Sequence, residues 1–202
     1  QNDLNNINSF SSAFPNISML NNKKNNCYNV EKPQNINKSL KITLEQAYTG
    51  CIVPLQIERK NNKTIETETV YVTVPQGVDN NEYIMIEGKG NIEGELAGNV
   101  KVIIVIINDS QYNREGLDII YNHEVPLKNA LCGFEIEIPH FSGKMLKIKN
   151  TPGNIVSSSY KKIIEGLGFK RDGHVGRLII TFNVLFPTSL TTEQINTIKD
   201  IL

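Results

Sequence analysis

Beyond Leu40 the chain alternates between apolar and polar residues along much of its length. "VPLQI", "ETVYVTV", "EYIMI", "FEIEIP", "KMLKIK" and "GRLIITFNVLF" are rich in Val, Ile, Tyr and Thr, and several repeat their apolar residues every second position. A period of two is the mark of a strand with one face in a core. "GNVKVIIVII" replaces the alternation with a continuous apolar run, which predicts a strand covered on both faces. Pro, Gly and Asn punctuate the gaps. Short strands at this spacing predict β-sandwiches rather than βαβ units.

Two places change period. In "TLEQAYTG", Thr43 and Gln46 form a capping box, and Gly50 suits the left-handed position after a short helix. In "LTTEQINTIKDIL", Thr191 and Gln194 form a second box, and Leu190 and Ile195 are spaced as a hydrophobic staple. Ile195, Ile198, Ile201 and Leu202 then recur at roughly helical spacing. A helix this short is marginal alone. Its apolar stripe needs a surface, either its own domain or a second copy. Residues 1–38 ("NNKKNN", "QNINKS") have no sustained period and bury too little apolar surface to offset ordering, which predicts an unstructured linker.

The pattern also repeats. "IEGKGN" from Ile86 returns as "IEGLGF" from Ile164, and "GNVKVIIVI" from Gly98 returns as "GRLIITFNV" from Gly176. "TLEQAYTG" has a partner in "PLKNALCG" from Pro126, where Pro126 suits a first helical turn and Gly133 its end. "VPQGV" from Val74 matches "NTPGN" from Asn150. The order is the same in both halves, which predicts two similar domains in tandem. "IEGKGN" therefore does not read as a phosphate loop. Lys89 is not followed by Ser or Thr and a helix, and its counterpart is Leu167. The glycines read as backbone freedom for a tight connection.

Composition narrows the chemistry. The chain has 202 residues, with 21 basic against 21 acidic side chains and a formal net charge of +0, so charge offers no argument for nucleic acid or a membrane as partner. No apolar run approaches the roughly 18 residues that would span a bilayer, and no secretory signal is evident. Cys27, Cys51 and Cys132 lack the spacing of a disulfide framework or a zinc site, which predicts a reducing, cytoplasmic setting. His123, His140 and His174 lie apart, and the carboxylates are scattered along strand faces. No metal site, cofactor or catalytic constellation is expected.

The assembled segments resemble the C-terminal region of DnaJ-type co-chaperones. The resemblance runs from Ser39 to Leu202 and rests on the ordered set "VPQGV", "IEGKGN", "GNVKVIIVI", the "YNREG" turn, "EVPLKNALCGFEIEIP" and a closing "FP" before a short helix. No Cys-x-x-Cys stands between Gly50 and Tyr71, so the chain looks like the zinc-free subtype. The His-Pro-Asp motif of a J domain is absent, and such a domain would have to precede Gln1.

The resemblance implies a mainly β, non-enzymatic chain. It would have a first β-sandwich domain at 39–113, a second at 114–187, and a dimerisation helix at 188–202. Leu190, Ile195, Ile198, Ile201 and Leu202 would join two copies into a homodimer. Unfolded client segments would bind an apolar groove on the first domain, at Leu40, Leu55, Ile57 and Tyr112. They would then pass to a DnaK-type chaperone. Val53 and Pro54 stand where relatives often carry lysines that hold the acidic tail of that partner, leaving Arg59, Lys60 and Lys63 as substitutes. The competing expectations are a structural or assembly β-protein that keeps this fold without client binding and, with little to support it, a β-sandwich hydrolase.

Overall fold

The structure is a computed structural model and describes residues 32–201. Leu202 and most of the expected linker lie outside the described residues.

The leading half runs β1 (Ile36–Thr43), α1 (Leu44–Thr49), β2 (Cys51–Asn61), β3 (Thr64–Val74), β4 (Tyr83–Ile86), β5 (Ile92–Glu93), β6 (Leu96–Ala97) and β7 (Val100–Ile107). A short strand, β8 (Tyr112–Glu115), follows. The trailing half repeats the series as β9 (Asp118–Pro126), α2 (Leu127–Cys132), β10 (Phe134–Pro139), β11 (Met145–Asn150), β12 (Lys161–Ile164), β13 (Lys170–Arg171), β14 (His174–Val175) and β15 (Leu178–Leu185). Helix α3 (Thr192–Ile201) closes the described chain.

Sheet pairing reproduces the repeat. β1 lies parallel to β7, and β9 lies parallel to β15. β4 pairs with β7 through Ile86↔Val100, and β12 pairs with β15 through Ile164↔Leu178, so both partners move by the same 78 residues. The sheets run β1-β7-β4 and β3-β2-β5-β6 in the first half, then β12-β15-β9-β8, β10-β11 and β13-β14 in the second. The hairpin strands differ in length: β2 and β3 have 11 residues each, β10 and β11 only 6.

Two boundaries shift from expectation. β1 begins at Ile36, so residues 36–38 belong to the first domain rather than to the linker. Lys38 stands where an apolar residue would have announced the strand, and pairing with β7 supplies what propensity does not. The expected division after residue 113 cuts through β8, which pairs with β9 and so sits in the second half's sheet.

The glycines of the repeated motif have a shared task. Gly90 donates to Gly98 (2.9 Å), and Gly98 donates to Asn91 (2.8 Å). Gly168 donates to Gly176 (2.8 Å), and Gly176 donates to Phe169 (2.9 Å). A Cβ on Gly90 would stand 2.6 Å from the Asn99 carbonyl oxygen. Close backbone approach, not phosphate binding, requires glycine here. Lys89 is held by Glu68 at 2.6 Å, and this hydrogen bond draws the Glu68 carboxyl below its ordinary range.

Both capping boxes form. Thr43 and Gln46 exchange backbone–side-chain bonds of 2.9 and 3.1 Å, and Thr191 and Gln194 exchange bonds of 2.9 and 3.2 Å. Pro126 is the N-cap of α2 rather than a residue of its first turn. Gly50 and Gly133 have positive φ (73° and 94°) but extended ψ (155° and 159°), a conformation nearly restricted to glycine. Each glycine turns the chain directly into the next strand, so the left-handed helical cap expected at Gly50 does not form.

The two halves are joined by side chains. Arg114 donates to the carbonyls of Val78 (2.6 Å), Gly77 (3.0 Å) and Gly116 (2.8 Å) and to Asp79 (2.5 Å). Its guanidinium lies 4.1 Å from the Phe169 ring centre. Arg171 reaches Glu82 and Asp79 from the second half. Tyr48 of α1 packs on His140, Phe141 and Phe169.

Candidate functional site

β2 alternates along its whole length. Cys51, Val53, Leu55, Ile57 and Arg59 turn inward, while Ile52, Pro54, Gln56, Glu58 and Lys60 are exposed. Its pairing with β3 is uninterrupted from Cys51↔Val74 to Asn61↔Thr64. Its contact with β5 is limited to Asn61↔Ile92. From Cys51 to Lys60, β2 therefore has no strand partner on its second side among the described residues.

The direction of its backbone groups follows. Lys60 donates its N–H away from β3, to Asn91 Oδ1 at 2.9 Å. In an unbroken antiparallel ladder, successive residues direct both backbone groups to opposite sides. Ile52, Pro54, Gln56 and Glu58 thus turn their carbonyls to the open side, and all but Pro54 offer an N–H there as well. β1, the edge strand of the neighbouring sheet, is also unpaired on one side among the described residues. Ile36 of β1 and Glu58, Arg59 and Lys60 of β2 line one cavity of about 220 Å³.

The four residues expected to line an apolar groove fare differently. Leu55 is half-buried and offers surface. Ile57 and Leu40 are core residues at 0% and 6% exposure. Tyr112 is 3% exposed, lies against Tyr121 and Phe141, and donates its hydroxyl to the Pro139 carbonyl. Burial pushes its phenol above the ordinary range. It sits on β8 with second-half neighbours. Leu40, Ile57 and Tyr112 are thus engaged in packing, and Val53 and Cys51 stand beside Leu55 as further half-buried positions. Alternation along one strand shows which residues share a face, but not how far the facing sheet closes over them.

In the second half β10 likewise pairs on one side only among the described residues, with β11. Matching Cys51↔Val74 to Phe134↔Asn150 aligns Leu55 with Ile138 and Ile57 with His140. Ile138 is 1% exposed and His140 5%. His140 Nε2 bonds the Leu167 carbonyl (2.9 Å), and Nδ1 accepts the Ser142 N–H (3.1 Å).

Of the three expected partner-tail cations, Arg59 is already engaged. Its guanidinium meets Glu68 at 2.9 Å and Glu66 at 3.6 Å. Lys60 and Lys63 are exposed beside the hairpin turn.

At the other end of the chain, α3 has no buried residue. Leu190, Ile195, Ile198 and Ile201 are 44%, 39%, 42% and 76% exposed. Leu190 and Ile198 border an apolar groove of about 480 Å³ with Leu127, Leu131, Leu185 and Phe186. Sequence reading named the first two and missed the last four. The signal was present in the apolar pair Leu185-Phe186, which runs past the point where strand alternation ends.

Among the described residues, no cluster of His, Cys, Asp and Glu could hold a metal ion, and no helix is long and apolar enough to cross a membrane. Cys51 and Cys132 are free thiols.

Comparison with known proteins adds an independent finding. A family model described as "DnaJ C terminal domain" matches residues 36–187. "DnaJ protein homolog 1" of Allium porrum is 31% identical over 148 residues, 71% of this chain and 37% of that protein. "Chaperone protein dnaJ 3" of Arabidopsis thaliana is 32% identical over 148 residues, 71% of this chain and 35% of that protein. "DnaJ protein homolog 1" of Drosophila melanogaster is 30% identical over 179 residues, 83% of this chain and 52% of that protein. The chain thus spans only about a third to a half of the length of these relatives.

Proposed function

The chain belongs to the DnaJ C-terminal domain family, and from that premise we propose that it is a non-enzymatic co-chaperone module that binds unfolded polypeptide along the open edge of β2. Acting as a homodimer, it presents such segments to a DnaK-type ATPase chaperone. The carrying observation is the unpaired side of β2 beside half-buried Cys51, Val53 and Leu55. An extended client adds as a strand, with backbone bonds giving affinity and alternate side chains giving preference. Leu40 and Ile57 act within the core that supports the edge, and Tyr112 acts within the packing of the second half.

One site is weak. A fully buried aliphatic side chain contributes about 1.5–3 kcal/mol before ordering costs. Two sites engaged by one client raise the effective affinity by about 10²–10⁴. The uncovered stripe of α3, with Leu131, Leu185 and Phe186, supports pairing of two copies. Lys60 and Lys63 are the cations left to meet an acidic partner tail. The free thiols of Cys51 and Cys132 suit a reducing, cytoplasmic setting.

A second reading is a structural β-protein without client binding, favoured by the burial of Leu40, Ile57 and Tyr112. Leu55→Asp separates the two. Under the proposed function it abolishes suppression of aggregation of a chemically unfolded test protein, read at a temperature where the melting curve shows the variant folded. Unchanged suppression favours the structural reading. Ile57→Asp is unsuitable, because a charge at a sealed position unfolds the domain.

A further inference from the structure

Pro54 sits in the middle of the open edge, flanked by the two aliphatic side chains that face inward, Val53 and Leu55. It is the residue on that edge that turns a carbonyl outward with no N–H beside it. Ile52 and Gln56, one step away on either side, present both groups. Pro54 costs β2 nothing in its pairing with β3, because its nitrogen faces away from that strand. Its cross-strand neighbour on the outer face is Tyr71, which is 71% exposed.

Resting on the client-binding reading, we propose that Pro54 is a specificity-determining residue of the edge. It divides the hydrogen-bonding ladder offered to a client into two short stretches, around Ile52 and around Gln56–Glu58. The client carbonyl that faces position 54 finds no donor and must stay hydrated. The client is therefore an extended polypeptide with apolar side chains two residues apart, seated on Val53 and Leu55, and held loosely at its centre. The missing donor also blunts the edge against long, continuous strand pairing, including pairing with a second copy.

The test uses the 202-residue chain and a fluorescein-labelled peptide with apolar residues at alternate positions, read by anisotropy. Pro54→Val and Pro54→Ala restore a donor and tighten binding about 3–10-fold. Gln56→Pro removes a donor from the same side without touching the β3 ladder and weakens binding by a similar factor. On peptide binding, hydrogen exchange shows new protection at the amide of position 54 in the donor-restoring variants. Melting curves identify any variant that fails to fold, and the remaining ones decide. Wild-type binding with unchanged affinity in the variants overturns the role of Pro54 alone. No binding by the wild-type chain overturns the client-binding reading, and the role of Pro54 with it.

Discussion

Arg171 grips the Glu82 carboxylate with both terminal nitrogens, at 2.8 and 2.9 Å, across the junction between the two halves. That grip, with the Asp79 backbone N–H as a second donor, holds the Glu82 carboxyl below its ordinary range. In the unfolded chain the group titrates near its ordinary value of about 4.3. Protonation therefore favours unfolding. The contribution is complete above that value and is lost as pH falls through the lowered folded one. Glu82→Gln should reduce stability by about 1–2 kcal/mol at neutral pH. Chemical denaturation across pH should show the difference shrinking in acid.

Arg114 makes four hydrogen-bonded contacts and a ring contact with one planar group, and its side chain is 12% exposed. Lysine keeps the charge but not the fork. Arg114→Lys should cost about 2–3 kcal/mol, because buried carbonyls of the first half lose their donors. Urea denaturation measures this. Unchanged stability would mean that the junction does not depend on the fork.

Glycines of the first half should differ in what they tolerate. Gly90→Ala drives a Cβ into the Asn99 and Gly98 backbone and should cost more than about 2 kcal/mol. Gly94 has φ of 62° with open space around it, so Gly94→Ala carries only the conformational penalty, about 1 kcal/mol. Thermal melting of the two variants should therefore rank them in that order.

Ile195→Asp combined with Ile198→Asp should halve the mass seen in sedimentation. The melting of the β-domains should stay unchanged, since neither side chain is buried in them. A monomeric wild-type chain at micromolar concentration would remove the dimer from the proposed function.

Much of this fold could be read from residues alone because its signals are local. The alternation in "ETVYVTV" and the Thr43–Gln46 and Thr191–Gln194 boxes concern neighbours within a few positions. The repeat was legible because "IEGKGN" and "IEGLGF" must satisfy the same close glycine approach. Tertiary facts were not. Nothing near Tyr112 in sequence announces Pro139 or Phe141, so a ring assigned to a first-domain groove is found packed in the second half. Lys38 hid the start of β1, because its strand is specified by β7, more than 60 residues away. The depth of Ile57 depends on what closes over it, and that is written elsewhere in the chain.

Duplication left this protein with two versions of one border, and among the described residues each keeps a strand on one side only. In the later version a sealed isoleucine, Ile138, stands where the earlier one keeps half-covered Leu55. Under the proposed function, drift at Leu55 or Pro54 retunes what is grasped while the later twin keeps its packing.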